Sequence, residues 1–150
     1  MNLTEEHEMI RESVRSFADE VVLPRALELD RTCDWPEDIV GGMAELGLFG
    51  IPFSEDYEGV GLDDIAYTIA VEELARVDGS AALTLAAHIS LGTYPIYNWG
   101  TEEQKKEFLP DLCSGRALGA FGLTEPDAGS DAKGTRTTAV LDGEIGRAHV

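Results

Sequence analysis

A chain of 150 residues with 43% hydrophobic and 27% charged side chains has the composition of a soluble globular protein and is long enough to bury a core. Its formal net charge of −18 argues against a nucleic-acid partner, because phosphate binding needs a basic footprint. It leaves open a phosphate-bearing cofactor cradled by backbone N–H groups. Cys33 and Cys113 are far apart, without C-x-x-C spacing or clustered histidines. They read as reduced thiols, and no metal site is expected. Residues 1–6 (MNLTEE) lack the basic and apolar regions of a secretory signal and are too acidic for a transit peptide, so a cytoplasmic location is expected.

Thr4 is an N-cap candidate with Glu5 and Glu6 in the first turn, where the helix dipole favours negative charge. Ile10, Val14, Phe17 and Val21 draw one apolar stripe on that helix, and Pro24 is expected to kink or interrupt it. Pro36 suits the first position of a second helix that ends at Gly47. Residues 48–52 (LFGIP) are predicted extended, since Pro52 disfavours helical geometry at Ile51. Residues 54–61 (SEDYEGVG) read as a polar connector.

Residues 65–77 and 81–91 are apolar almost all round and predict two inner helices of a bundle, separated by Asp78, Gly79 and Ser80. Neither run reaches the roughly 20 apolar residues of a membrane span. Glu72 and Glu73 have the chemistry of catalytic carboxylates, but an acidic pair on a helix is more often a solvated edge or a partner for Arg76. His88 has the chemistry of a base, and a lone histidine on an apolar helix is more often a satisfied core residue. Gly92 and Pro95 are expected to break the second inner helix, leaving Thr93, Tyr94, Ile96, Tyr97 and Trp99 around a bend that lines a cavity or completes the core. Thr101 and Gln104 form a capping box, Phe108, Leu109 and Leu112 are expected inward, and Gly115 suits the C-terminal cap.

After Arg116 the pattern changes. Residues 117–123 (ALGAFGL) suit a buried strand, and residues 137–141 a second strand closed by an Asp142-Gly143 turn. Between them, Glu125 before Pro126 must be extended. Gly129 allows close backbone approach, and Ser130 adds a hydroxyl beside exposed N–H groups. This stretch suits the polar edge of a planar heterocycle and a phosphate; a plain loop between strands is the alternative.

The order of residues 122–134 (GLTEPDAGSDAKG) closely resembles the signature of the acyl-CoA dehydrogenases, flavoenzymes that desaturate acyl-CoA thioesters. The resemblance covers nearly the whole chain: residues 48–52, Glu72-Glu73-Leu74-Ala75, Ser90-Leu91-Gly92, residues 100–105 and Phe108-Leu109-Pro110 stand in family order. It implies a mainly α chain, with a helical bundle over residues 1–116 and the first strands of a truncated middle β domain over 117–143. Residues 144–150 (EIGRAHV) resemble the translation of a sequencing-library adapter and are expected to be an artefactual tail.

The resemblance further implies FAD as cofactor, acyl-CoA as substrate, an electron-transfer flavoprotein as partner, a homotetrameric parent and a place in fatty acid metabolism. Phe121, Leu123, Thr124, Gly129 and Ser130 would line the flavin, with Leu123 and Thr124 near N5 and Gly129 and Ser130 near the phosphates. Phe121 stands where many members carry tyrosine, and Asp127 where many carry glycine. Ser130, Thr93, Tyr94, Ile96 and Tyr97 would contact the acyl-CoA. A glutamate base would remove the α-proton while hydride leaves the β-carbon for flavin N5; in the family that base lies beyond this region, so the fragment itself is expected to be inactive. An oxidase or flavin monooxygenase of the same fold, or a non-catalytic helical acyl-CoA-binding module, are the alternatives.

Overall fold

The computed structural model describes residues 3–142 and 145–149, and the chain separates into two compact units, Met1–Ala120 and Phe121–Val150. The first unit is helical. Its opening helix α1 (Glu5–Phe17) is capped reciprocally: the Thr4 hydroxyl accepts the His7 N–H, and His7 Nδ1 accepts the Thr4 N–H. Histidine here does the work usually given to Glu or Gln in a capping box. With Nδ1 accepting, Nε2 carries the proton and donates to Asp63 Oδ1 at 2.9 Å. Asp63 is itself the N-cap of α4 (Asp64–Ala75), accepting from Ile65 and Ala66, so one hydrogen-bond chain ties two helix starts together.

The apolar stripe of α1 changes phase partway along. A π-turn, Ala18–Val22, carries α1 into α2 (Leu23–Thr32), and the Leu23 N–H bonds back five residues to the Ala18 carbonyl. Pro24 lacks the N–H that an α-helix would direct to Glu20, and the wider turn absorbs that gap without ending the helix. The inserted residue rotates the face: Val14, Ala18 and Val22 are buried, while the expected stripe member Val21 is 37% exposed.

Helix α3 (Glu37–Glu45) follows Pro36 and closes at left-handed Gly47, φ 68°. Residues 48–52 are not extended as predicted. Leu48–Gly50 form a 3-10 turn and Ile51 is helical, at φ −45° and ψ −55°. Burial overrides the proline rule: Leu48, Phe49, Ile51 and Phe53 are at most 1% exposed. The Val60 and Leu62 N–H groups bond to the Gly50 and Ile51 carbonyls, which ties the following connector to this turn.

Helix α4 packs against α1 and α5 (Gly79–Ala87). The two central helices are not buried on every face. Leu85 and Ile89 are in the core, but Leu83 is 67% and Leu91 47% exposed. Gly92 and Pro95 do not break the second helix either. A second π-turn, His88–Thr93, leads directly into α6 (Tyr94–Trp99), whose Pro95 sits in the first turn, where its missing N–H costs nothing. Helix α7 (Glu102–Cys113) starts at the expected Thr101–Gln104 capping box and ends at left-handed Gly115, φ 76°. Leu109 and Leu112 point inward, whereas Phe108 is 44% exposed. Both cysteines are free; Cys33 is exposed and Cys113 is buried, which pushes its thiol up to about 12.

In the second unit, β1 (Thr138–Asp142) pairs antiparallel with β2 (Ile145–His149), from Thr138↔His149 to Asp142↔Ile145. The predicted strand at 137–141 is thus present, and Gly143 of its closing turn lies outside the described residues. Residues 117–123 form no strand. An apolar strand needs a ladder partner for its N–H and C=O groups, and among the described residues none pairs with this segment. Instead Gly119 lies against the backbone of Gly92.

Candidate functional site

Each unit carries its own set of residues singled out by the sequence. In the second unit the stretch 121–130 is built around Glu125. Its backbone closes a four-residue turn, with the Glu125 N–H donating to the Ala128 carbonyl at 3.1 Å and the Ala128 N–H returning to Glu125 at 3.2 Å. The chain therefore reverses between Thr124 and Gly129. The Glu125 carboxylate accepts the Arg136 N–H at 2.7 Å and the Thr137 N–H at 3.0 Å, fastening the turn to the approach of β1. These bonds hold its pKa below the usual carboxylate value, the Arg136 amide contributing most. Asp131 caps the 3-10 turn Ala132–Gly134 through the Lys133 N–H.

The cofactor candidates all face outward from this fixed turn. Phe121 is 54% and Leu123 44% exposed, and Thr124, Gly129 and Ser130 are exposed as well. Among the described residues, no protein group bonds the backbone N–H groups of residues 121–124 or the Thr124 hydroxyl. A methyl added at Gly129 would meet nothing within 4 Å, and no positive φ requires glycine there. Internal packing does not explain that glycine, and the open space beside it leaves the backbone accessible. Free N–H groups, a hydroxyl and an open glycine suit the polar edge and phosphates of a flavin nucleotide.

In the first unit, Thr93, Tyr94, Ile96 and Tyr97 lie on the π-turn and α6. The rings of Tyr94 and Tyr97 flank Phe53, with centroids at 5.1 and 5.2 Å, and Tyr57 meets Tyr97 at 6.1 Å. The Tyr94 hydroxyl donates to Asp64 Oδ1 at 2.5 Å; burial, then this bond, raises the phenol above its ordinary range. Ile96 lines an open recess of about 290 Å³ with Pro95, Trp99, Gly100, Gln104 and Phe108. Thr93 is separated from this group. It is fully buried, and its hydroxyl donates to the His88 carbonyl at 3.0 Å.

His88 joins three segments of the first unit. Its Nδ1 accepts the Gly119 N–H at 3.0 Å, so the proton resides on Nε2, which lies 3.1 Å from the Leu112 carbonyl and 3.2 Å from Thr93 Oγ1. The ring stacks edge-on against Phe49 at 4.7 Å. Burial lowers its pKa to about 4, keeping the imidazole neutral. Reading His88 as a satisfied core residue agrees with this environment, yet the bond to Gly119 escapes the sequence because it spans 31 positions with no motif between them. Glu73 is likewise structural: it is 3% exposed and accepts two hydrogen bonds from Arg15, a partner the sequence did not reveal.

Among the described residues no three His, Cys, Asp or Glu side chains cluster as metal ligands, and no helix is long and apolar enough to cross a membrane.

The family model "Acyl-CoA dehydrogenase, N-terminal domain" matches residues 4–116. The probable acyl-CoA dehydrogenase YngJ of Bacillus subtilis (strain 168) is 51% identical over 142 residues, which cover 95% of this chain and 37% of YngJ. A chain from structural work on the electron transferring flavoprotein of Acidaminococcus fermentans and flavin-based electron bifurcation superposes with a TM-score of 0.91 at 44% identity, over 99% of this chain and 39% of that one. An acyl-CoA dehydrogenase complexed with FAD from Bacillus anthracis superposes with a TM-score of 0.86 at 40% identity, over 95% of this chain and 25% of that one. This chain thus spans well under half the length of these relatives. With the N-terminal domain model covering most of its length and the helical order matching throughout, the chain belongs to the acyl-CoA dehydrogenase family.

Proposed function

We propose that this chain is the N-terminal part of a flavin-dependent enzyme that desaturates an acyl-CoA thioester between its α and β carbons. The observation that carries the reading is the stretch 121–130, whose exposed N–H groups and open Gly129 stand on a turn that Glu125 locks from behind. The FAD-complexed relative from Bacillus anthracis supports FAD as the occupant. FAD, when bound, supplies the hydride acceptor for the desaturation.

The chain's own residues bind and orient. Backbone groups of Leu123 and Thr124, with the Thr124 hydroxyl, hold the polar edge of the ring beside Phe121, and the Gly129 and Ser130 backbone receives phosphate oxygens. In a chain of net charge −18, exposed backbone dipoles offer the phosphates positive potential without side-chain cations. Ser130 also contacts acyl-CoA. Tyr94, Ile96 and Tyr97 present a wall to the acyl chain, and Thr93 fixes the π-turn behind them. Glu73 is committed to Arg15 and is not the base, which we assign to the part of the relatives' length outside this chain. An electron-transfer flavoprotein is the proposed electron acceptor, in a parent assembled as a tetramer.

The test is expression of the complete reading frame. A yellow protein with stoichiometric FAD, bleached by acyl-CoA without oxygen, is the expected result. A colourless protein that still binds acyl-CoA would instead establish a helical binding module.

A further inference from the structure

The chain leaves the helical unit through residues 117–120 and enters the proposed flavin stretch at Phe121. Outside any strand, this exit segment has few anchors. The Ala117 N–H bonds to the Asp111 carbonyl at 3.0 Å, and the Gly119 N–H bonds to His88 Nδ1 at 3.0 Å. Gly119 also lies so close to Gly92 that a methyl on Gly92 would stand 2.6 Å from the Gly119 Cα. His88 and Gly92 both belong to the π-turn His88–Thr93, which also presents Thr93 and continues into Tyr94.

Resting on the function proposed above, we infer that His88 is a positioning residue: its Nδ1 fixes the Gly119 amide, and with it the point from which the chain enters the flavin-binding stretch two residues later. The chemistry requires the neutral Nε2–H tautomer. Only that form accepts at Nδ1 while donating at Nε2, and the Leu112 carbonyl and Thr93 hydroxyl hold the ring in it. The π-turn that carries Thr93 and leads into Tyr94 thereby holds the last segment of the helical unit.

Two substitutions divide the roles of the ring. The carbonyl oxygen of asparagine falls near the place of Nδ1, so His88→Asn retains an acceptor for Gly119 and loses the bond to Leu112. The amide nitrogen of glutamine reaches the place of Nε2, so His88→Gln retains the Leu112 bond and loses the acceptor for Gly119. Both are made in the protein from the complete reading frame, with a cooperative melt confirming that each folds. Hydrogen exchange at the Gly119 amide, FAD affinity and the visible flavin spectrum are then measured.

His88→Gln is expected to speed Gly119 exchange by about tenfold, weaken FAD binding by about tenfold and shift the flavin bands. His88→Asn is expected to restore all three toward wild type. Unchanged Gly119 exchange in His88→Gln would overturn the inference. So would faster exchange with wild-type FAD affinity and spectrum. Wild-type protein that is colourless would overturn the proposed function and this assignment together, and that result is distinguishable because it does not depend on residue 88.

Discussion

The guanidinium of Arg15 grips the carboxylate of Glu73 at two points, Nε at 2.9 Å and Nη2 at 2.7 Å, joining α1 to α4 across 58 residues. Arg76 Nε approaches the same carboxylate at 3.4 Å and Arg11 Nε at 3.6 Å, and Arg76 reaches on to Asp19 on the π-turn. Glu73 is 3% exposed, so it is a buried anion that persists because cations surround it.

Glu73→Gln should therefore destabilise the helical unit by about 1–3 kcal/mol, less than the loss of a fully buried pair, since the Arg15 and Arg76 side chains are partly solvated. Hydrogen bonds from Arg15 hold the Glu73 pKa below its ordinary value. A depressed carboxylate contributes stability above its unfolded pKa and loses it as pH falls through the folded one. Urea midpoints should show the Glu73→Gln penalty at neutral pH and its disappearance in acid. A penalty independent of pH would show that packing, not charge, sets the effect.

His88 supplies the opposite kind of titration. Burial lowers its pKa from 6.5 to about 4, so between these values the unfolded chain binds a proton that the folded chain refuses. Stability contributed by the neutral ring is complete above pH 6.5 and falls as pH drops toward 4, by up to about 3 kcal/mol. The difference in unfolding free energy between wild type and His88→Asn, followed across this range, should shrink or reverse as the solution is acidified. A constant difference would mean that His88 does not titrate between the two states.

The fates of Gly92 and Pro95 show what the sequence conveys. Local chemistry was legible: Thr4 and Thr101 cap helices as read, Gly47 and Gly115 end them, and Thr138–Asp142 forms the strand. The two π-turns were not, because one inserted residue leaves composition untouched while rotating every later side chain. That is why Val22 rather than Val21 is buried, and why the helix runs on through Gly92. Ile51 before Pro52 shows burial overriding a backbone preference. In the candidate site, the residues proposed to face a ligand form a pattern in sequence order. Within each unit, Glu125 with Arg136 and His88 with Gly119 meet across 11 and 31 positions, and chain spacing carries no trace of such bonds.

Gly92→Ala tests the contact between the π-turn and the exit segment. Its methyl would stand 2.6 Å from the Gly119 Cα and 2.8 Å from the Gly119 carbonyl carbon. Backbone cannot rotate away as a side chain can, so the segment must shift. A cost of about 1–3 kcal/mol is expected, with faster amide exchange at Gly119. An equal melting temperature and unchanged exchange would show that the two segments separate freely.

The isolated 150-residue chain should not retain FAD through gel filtration, since residues 121–130 supply one wall of the proposed site and this chain spans 37% of the length of YngJ. The open edges of the β1–β2 pair should also make it associate as concentration rises. Stoichiometric flavin on a monomeric fragment would show that the wall is sufficient by itself.

Glu125→Gln separates charge from shape in the turn proposed to hold the flavin. The carboxylate accepts from the Arg136 and Thr137 amides with separate oxygens, and Gln offers one acceptor where Glu has two. One of the two N–H groups exchanges its carboxylate partner for water, which loosens the turn locally. The turn sits at the surface, so most of the effect should appear there and little as a change in global melting. Amide exchange at Arg136 or Thr137 should rise, and FAD affinity in the complete protein should fall, while the helical unit melts as before. Glu125→Asp keeps the charge but is one methylene too short to span both amides, so it should restore less than the full affinity. If Glu125→Gln binds FAD as wild type does, the lock behind residues 121–130 is not what orders the flavin wall, and the backbone turn between Glu125 and Ala128 suffices.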